Sequence, residues 1–233
     1  MKYYLITALA TLMVLFPAGL RAWDVTYEAT SGLMPDDPGL GTSQWSTYGS
    51  YFDSAGCSLS DGALHLYDSS PSENVYFHRT IASGPITAEV NVRVVSATLL
   101  SSSPLASSVM IEEAVYGAIA RVNLWTDHIS MAYGDGTSVW SYAVDMTQFH
   151  VIRVALESSA ESWIWLDGNL LYSGPALGGG QGDFTFGGNT NSDAYWQYVD
   201  YSNSFVPVPE PPSLVALLCG VAGLGGVVFR RRR

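Results

Sequence analysis

Aromatic side chains are the residues of this sequence best suited to ligand chemistry. The chain contains 7 tryptophans and 14 tyrosines among its 233 residues. Exposed rings stack on the apolar faces of sugars, and neighbouring carboxylates and amides bind sugar hydroxyls. Core packing is the alternative role, and it is the expected one for most of these rings. The candidate ligand-binding rings are Trp125, Trp140, Trp163, Trp165 and Trp196.

Oxygen-bearing side chains late in the chain form a second candidate site. Aspartate and asparagine oxygens in turns suit a hard cation such as Ca²⁺. No recognised calcium loop is present, so ordinary turn chemistry is the favoured interpretation and a bound calcium ion is the alternative. The residues concerned are Asp183, Asn189, Asn191 and Asp193.

Patterns that support catalysis are missing from the sequence. Glycoside hydrolysis needs two carboxylates roughly 5 to 9 Å apart, but Glu112 and Glu113 are adjacent and would point to opposite faces of a strand. The 4 histidines never show a metal-binding spacing, and there is no Gly-x-Ser-x-Gly nucleophile motif. We therefore expect no catalytic residue and predict that the protein is not an enzyme.

Short strands must position these residues. In residues 86–95, apolar side chains alternate with Thr87, Glu89, Asn91 and Arg93. This period of two predicts a strand with one face in the core and one in water. About a dozen such strands follow one another without βαβ alternation, and outside the two ends no long segment has helical periodicity. The sequence predicts an all-β, two-sheet antiparallel sandwich.

Several motifs carry a family resemblance. The sequence shows DGALH at 61–65, FHVIRV at 149–154, WLDG at 165–168, FTFGG at 184–188 and WQYVDY at 196–201. Their order and spacing resemble those of laminin-G-like, concanavalin A-like jelly-roll domains. The resemblance covers residues 24–204 and implies a jelly-roll sandwich, a fold in which glycan-binding domains and bound calcium are common.

The N-terminal residues 1–22 are typical of a secretory signal peptide. Lys2 precedes an apolar stretch over residues 3–20, and Ala22 offers a small residue for cleavage. We therefore predict export of a mature chain that begins at Trp23. Residues 23–206 are expected to form one domain, which is large enough to bury a core without metal or disulfide support.

Residues 207–233 form a distinctive tail. The uncharged run at 213–229 has 17 residues and would span about 26 Å as a helix, slightly less than a hydrocarbon core of about 30 Å. A terminal arginine cluster would stay on the cytoplasmic side of a membrane. The motif before the run is Val208, Pro209, Glu210 and Pro211, and the cluster after it is Arg230, Arg231, Arg232 and Arg233.

This order of motif, apolar run and basic end closely resembles the PEP-CTERM sorting signal of exported bacterial proteins. In that family a membrane enzyme, exosortase, recognises the tail and cleaves it near the Pro-Glu-Pro motif. The resemblance implies a transient inner-membrane anchor and then delivery to the cell surface or extracellular matrix of a Gram-negative-type bacterium. A plain C-terminal transmembrane anchor is the alternative.

Charge excludes one class of partner. Between residues 23 and 206 the chain has four arginines, no lysine and 20 acidic residues, a formal charge of −16. Nucleic acid and anionic lipid are therefore poor partners, because phosphate binding relies on Lys and Arg. Cys57 is the single cysteine of this body, since Cys219 lies in the tail, so we predict no disulfide.

Together these features predict an exported, non-catalytic sandwich protein. Its expected role is binding of extracellular polysaccharide or a structural role in the matrix. Two alternatives remain at this point: a polysaccharide hydrolase of the jelly-roll type, and a passive surface protein without a ligand. A hydrolase would bring two carboxylates together in a cleft, whereas a passive protein would bury its rings.

Overall fold

A computed structural model of the chain describes residues 23–48, 56–68, 74–81, 84–97, 109–115, 117–132, 138–157, 161–178, 183–189 and 192–205. These residues belong to one compact body, Ala22–Val206. The predicted signal peptide, Val208 to Pro211, the apolar run and Arg230 to Arg233 lie outside the described residues. In the described ranges, no helix has the length and apolar character needed to cross a membrane.

Two antiparallel sheets of eight strands each form the body. Sheet A contains β1 (Val25–Glu28), β3 (Cys57–Ser60), β4 (Ala63–Asp68), β6 (Ile86–Ala97), β11 (His150–Leu156), β12 (Glu161–Leu166), β13 (Asn169–Pro175) and β16 (Ser192–Ser202). Its order is β13-β12-β11-β6-β16-β4-β3, and β1 also pairs with β16.

Sheet B contains β2 (Ser46–Tyr48), β5 (Asn74–Thr80), β7 (Val109–Val115), β8 (Ala118–Leu124), β9 (His128–Ala132), β10 (Ser138–Ala143), β14 (Leu177–Gly178) and β15 (Asp183–Asn189). Its order is β10-β9-β8-β7-β15-β5-β2, with β14 paired to β8. Two 3₁₀ turns, Ala29–Ser31 and Pro38–Ser43, connect β1 to β2. The predicted all-β antiparallel sandwich is thus confirmed.

The core lies between the inner faces of the two sheets. Ile86, Val90 and Val94 of β6 are fully buried there, as the alternation of that strand predicts. Sheet B contributes Phe184 and Phe186 from β15. Burial of this apolar surface supplies the main driving force for folding.

The outer face of sheet A differs from its prediction. Thr87 and Glu89 were expected in water, but Thr87 is fully buried and Glu89 is only 4% exposed. The cause is Arg153 on the neighbouring β11, whose Nε and Nη2 donate hydrogen bonds of 2.8 and 2.6 Å to Glu89 Oε2. The ring of Trp23 lies 5.5 Å from the Arg153 guanidinium carbon, and Tyr198 donates to Glu89 Oε1. A paired charge can be buried where a lone one cannot.

Two tight hairpins explain the Asp-Gly pairs. Asp167 and Gly168 have φ of 50° and 80° between β12 and β13, as expected for a turn in which glycine supplies positive φ. Asp61 and Gly62, with φ of 53° and 73°, make the same kind of turn between β3 and β4. The sequence patterns missed β3, as well as the short strands β2 and β14. Cys57 in β3 is buried and free.

Candidate ligand-binding face

The outer face of sheet B is polar. Val122 and Leu124 of β8 point into the core, so the alternating residues Arg121 and Asn123 lie on the outer face. The other strands continue this arrangement. We call this surface the polar face; its described polar side chains in sheet B include Ser46, His78, Thr80, Arg121, Asn123, Ser130, Ser141, Asp183 and Thr185.

Strand register aligns part of the polar face in one row. His78 pairs with Ser46 on one side and with Thr185 on the other. The row then passes through the register position of Glu112 in β7 and reaches Arg121 in β8. Cross-strand neighbours lie about 5 Å apart, so this row brings residues from five strands within reach of one extended ligand.

Trp125 stands at the end of β8, beside the polar face. Its Nε1 donates a hydrogen bond of 3.1 Å to Ser130 Oγ, and Ser130 pairs in register with Asn123. The indole also stacks on the His128 ring, with centroids 5.4 Å apart and planes 9° apart. The turn is closed by the Trp125 N–H, which donates to His128 O at 2.9 Å. The half-buried indole is therefore held by a hydrogen bond and a stacked ring.

Asp127 completes the support of this ring. His128 Nδ1 and Asp127 Oδ1 are 2.7 Å apart. The hydrogen bond from His128, aided by the charge of that histidine, holds the pKa of Asp127 below its ordinary value of 3.8. An ionised Asp127 thus fixes the orientation of the imidazole on which Trp125 stacks.

Some polar side chains of the polar face are shielded from solvent. Asn123 is 2% exposed and Ser130 is 7% exposed, although both are on the outer side of the sheet. Thr185 Oγ1 is buried and has no hydrogen-bond partner among the described residues. The exposed Ser141 pairs in register with Ser130 and so adds a solvent-facing hydroxyl next to the fixed indole, an arrangement suited to a ligand that combines many hydroxyls with apolar ring faces.

The predicted ligand-binding rings do not form one site. Trp163 and Trp165 lie on the outer face of sheet A, because Ile164 and Leu166 between and beside them point into the core. The Phe205 ring contacts both, with centroids at 5.4 Å from Trp163 and 6.4 Å from Trp165. Trp125 therefore stands on the opposite sheet from this pair.

The remaining two candidate rings are involved in packing. Trp140 in β10 contacts the Tyr172 ring of β13, centroid to centroid at 5.7 Å, and packs against the core. Trp196 is 0% exposed and contacts Phe186 in the core at 5.1 Å, so it is not available to a ligand. Trp196 pairs with Val92 of β6 and has the same parity as the buried Ala194, so it faces the core.

Two of the four predicted calcium residues have described side chains, and they lie on different sheets. Asp183 begins β15 in sheet B, whereas Asp193 lies in sheet A and is 2.8 Å from His65 Nε2. The Asn189 side chain and Asn191 lie outside the described residues. Within the described part of the chain no cluster of three His, Cys, Asp or Glu side chains is able to hold a metal ion. Asp183 and Asp193 therefore lie on different sheets, and a calcium ion near these four residues stays a prediction.

One pair of carboxylates was missed by the sequence patterns. Glu89 and Asp200 are directly opposite each other on β6 and β16, 111 positions apart in the chain. Both are buried, and the Glu89 carboxylate is bonded to Arg153 and Tyr198. A buried, ion-paired carboxylate does not contact substrate, so we assign Glu89 and Asp200 a structural role. Only the pairing of distant strands reveals it.

Comparison with known proteins supports the fold. The structure is similar to that of apo Crh5 transglycosylase, with a TM-score of 0.56, 14% identity and coverage of 79% of this chain and 86% of that chain. It is also similar to the botulinum neurotoxin type G receptor binding domain, with a TM-score of 0.51, 11% identity and coverage of 80% and 49%. The chain spans about half the length of that domain.

The carbohydrate binding module CBM66 from Bacillus subtilis matches with a TM-score of 0.47, 12% identity and coverage of 68% of this chain and 94% of that chain. No protein-family model matches the sequence, and no curated protein matches it. At these identities the comparisons establish the fold. The body is an all-β sandwich of two antiparallel sheets, as the sequence patterns predict.

Proposed function

We propose that the body is a non-catalytic glycan-binding domain whose ligand lies on the polar face of sheet B. The observation that carries this proposal is Trp125, fixed by Ser130 and His128 beside the polar face. The indole supplies an apolar surface for a sugar ring, and the exposed Ser141, which pairs in register with Ser130, offers its hydroxyl to sugar hydroxyls. A receptor binding domain and a transglycosylase share this fold, so both binding and chemistry are compatible with it.

Binding is favoured over hydrolysis by the carboxylates. A hydrolase needs two accessible carboxyl groups about 5 to 9 Å apart. Among the strand residues of the polar face whose side chains are described, Asp183 is the one carboxylate, and Glu89 and Asp200 are buried on the other sheet. A passive surface protein is disfavoured by Trp125, which is half-exposed on a polar surface rather than packed in the core.

A glycan array probed with the purified protein tests this proposal. We expect retention of at least one extracellular polysaccharide, and no shortening of that polysaccharide on prolonged incubation. Backbone amide shifts recorded with the retained glycan should concentrate in β8 and β9. Retention of no glycan would contradict a binding function, and release of shorter products would favour the hydrolase.

We further propose that the protein is exported and sorted through its tail. The support is the sequence at the two ends: a secretory signal over 1–22, and the Pro209-Glu210-Pro211 motif, apolar run and Arg230 to Arg233. An exosortase-type enzyme is then the partner, and the C-terminal run anchors the protein in the inner membrane before cleavage. The final location is the cell surface or extracellular matrix.

Intact mass and cell fractionation in the native host test the sorting proposal. A mature C-terminus near Pro209 to Pro211, in the surface or medium fraction, is the expected result. Replacing Glu210 with Ala should leave a longer, membrane-retained protein. An intact Arg233 in wild-type protein would instead indicate a permanent membrane anchor.

A further inference from the structure

Arg93 on the outer face of sheet A contacts two aromatic rings. Its guanidinium carbon lies 4.4 Å from the centroid of Tyr195 and 5.2 Å from the centroid of Phe149. Tyr195 stacks in turn on His65, with centroids 4.2 Å apart and planes 5° apart. His65 is anchored by its contact of 2.8 Å with Asp193. These two cation–π contacts hold the guanidinium without using its N–H donors.

The guanidinium donors of Arg93 have no acceptor in the part of the chain that the structure describes. Among the described residues none accepts a hydrogen bond from this guanidinium or forms an ion pair with it, and its Nε is buried. Other arginines of the body are used internally: Arg79 donates to Gln44 O and Thr42 O, and Arg153 to Glu89. A fixed guanidinium with free donors is suited to bidentate recognition of a carboxylate.

Asn91 presents the complementary group. It precedes Arg93 by two positions in β6, so the two side chains share one face about 6.6 Å apart. Asn91 Nδ2 donates to Gln197 Oε1 at 2.7 Å, which leaves its Oδ1 buried and without a partner in the described part of the chain. This oxygen accepts a hydrogen bond, for example from a hydroxyl.

Apolar surface borders this pair. Phe149 is 36% exposed beside the guanidinium, and Val95, two positions after Arg93, is 48% exposed. A ligand for this surface therefore needs an anionic group for Arg93, a hydroxyl for Asn91 and an apolar ring face for Phe149. A uronic acid residue combines all three features.

We propose that Arg93, Asn91 and Phe149 form a binding site for uronate residues of an acidic polysaccharide, separate from the polar face on sheet B. The rest of the body is strongly acidic, with 20 carboxylates against four arginines. Its overall field repels a polyanion. Recognition therefore depends on the short-range contact with Arg93 and does not arise from general charge attraction.

Calorimetric titration of the purified full chain with tetragalacturonate tests the site. The methyl-esterified tetramer is the matched ligand, because it keeps the sugar rings and hydroxyls and removes the charge. We expect tetragalacturonate to bind at least tenfold more tightly than its ester. This comparison needs no protein variant. Equal binding of the two forms, or no binding of tetragalacturonate, would overturn the proposal.

Two variants assign the contact to Arg93. Arg93→Gln should weaken tetragalacturonate binding at least tenfold and abolish the preference over the ester, with a thermal unfolding scan showing that the protein remains folded. Trp125→Ala, on the opposite sheet, should leave this binding unchanged while it impairs glycan binding at the polar face. If Trp125→Ala loses tetragalacturonate binding while Arg93→Gln binds like wild type, the uronate site lies on sheet B. That outcome would contradict the inference.

Discussion

At the residue scale, the Glu89–Arg153 ion pair explains why two charged side chains on the outer face of sheet A are buried. Removing one partner of a buried ion pair leaves the other charge unpaired, which costs about 3–5 kcal/mol. We therefore predict that Glu89→Gln lowers the free energy of unfolding by about that amount in urea titrations. The double variant Glu89→Leu with Arg153→Met should recover most of the loss. A single variant as stable as wild type would contradict the buried pair.

Cys57 offers a second test at this scale. Burial, with a contribution from the nearby Asp36 carboxylate, raises the pKa of the Cys57 thiol to about 12. Only about one thiol in ten thousand is then the reactive thiolate at pH 8. In a Cys219→Ser chain, we expect Cys57 to react with a disulfide reagent only in urea concentrations that unfold the protein. Rapid labelling of the folded chain would show that the thiol is accessible.

Asp145 gives a pH-dependent prediction. The Thr147 hydroxyl and backbone N–H donate to its carboxylate at 2.6 and 3.1 Å and hold its pKa below 3.8. Because the folded pKa is lowered, the stabilising contribution is present above pH 3.8 and is lost as the pH falls through the folded value. Thr147→Val should raise the pKa of Asp145 in an NMR titration. Asp127, supported by His128, is the internal control and should not change.

At the scale of elements, the Asp-Gly turns fix the hairpins. Gly168 has φ of 80°, and no atom would lie within 4 Å of an added Cβ, so the cost of Gly168→Ala is purely conformational. We expect a loss of about 1–2 kcal/mol in the free energy of unfolding. Gly178→Ala is the matched control, since Gly178 has an ordinary φ and equally open surroundings. Equal stability of the two variants would refute the role assigned to the turn.

The strands also show which features of the fold the sequence patterns can predict. The alternation in β6 predicted its core face correctly, because hydrophobic periodicity reports which side is buried. It failed for Thr87 and Glu89, because their partners Ser204 and Arg153 come from distant parts of the chain. Pairing between strands, not periodicity within one, decides these positions.

At the scale of the whole molecule, the sandwich presents two outer faces with different chemistry. Sheet B carries the polar face with Trp125, whereas sheet A carries the buried Glu89–Arg153 pair and the stacked Arg93. The sequence identified Trp125 as one of five candidate rings but contained no signal that separated it from Trp163 and Trp165. Their assignment to opposite sheets depends on the strand order, which brings β8 and β12 into different layers.

The most direct test of the account is the dissociation constant of the strongest array-selected glycan for Trp125→Ala, compared with wild type and with Trp163→Ala. Loss of the indole surface should weaken binding about tenfold, which corresponds to about 1.4 kcal/mol. Trp163→Ala removes an indole from sheet A instead, and its dissociation constant should stay within about twofold of the wild-type value. Unchanged affinity in Trp125→Ala, with a loss in Trp163→Ala, would contradict a glycan site on the polar face.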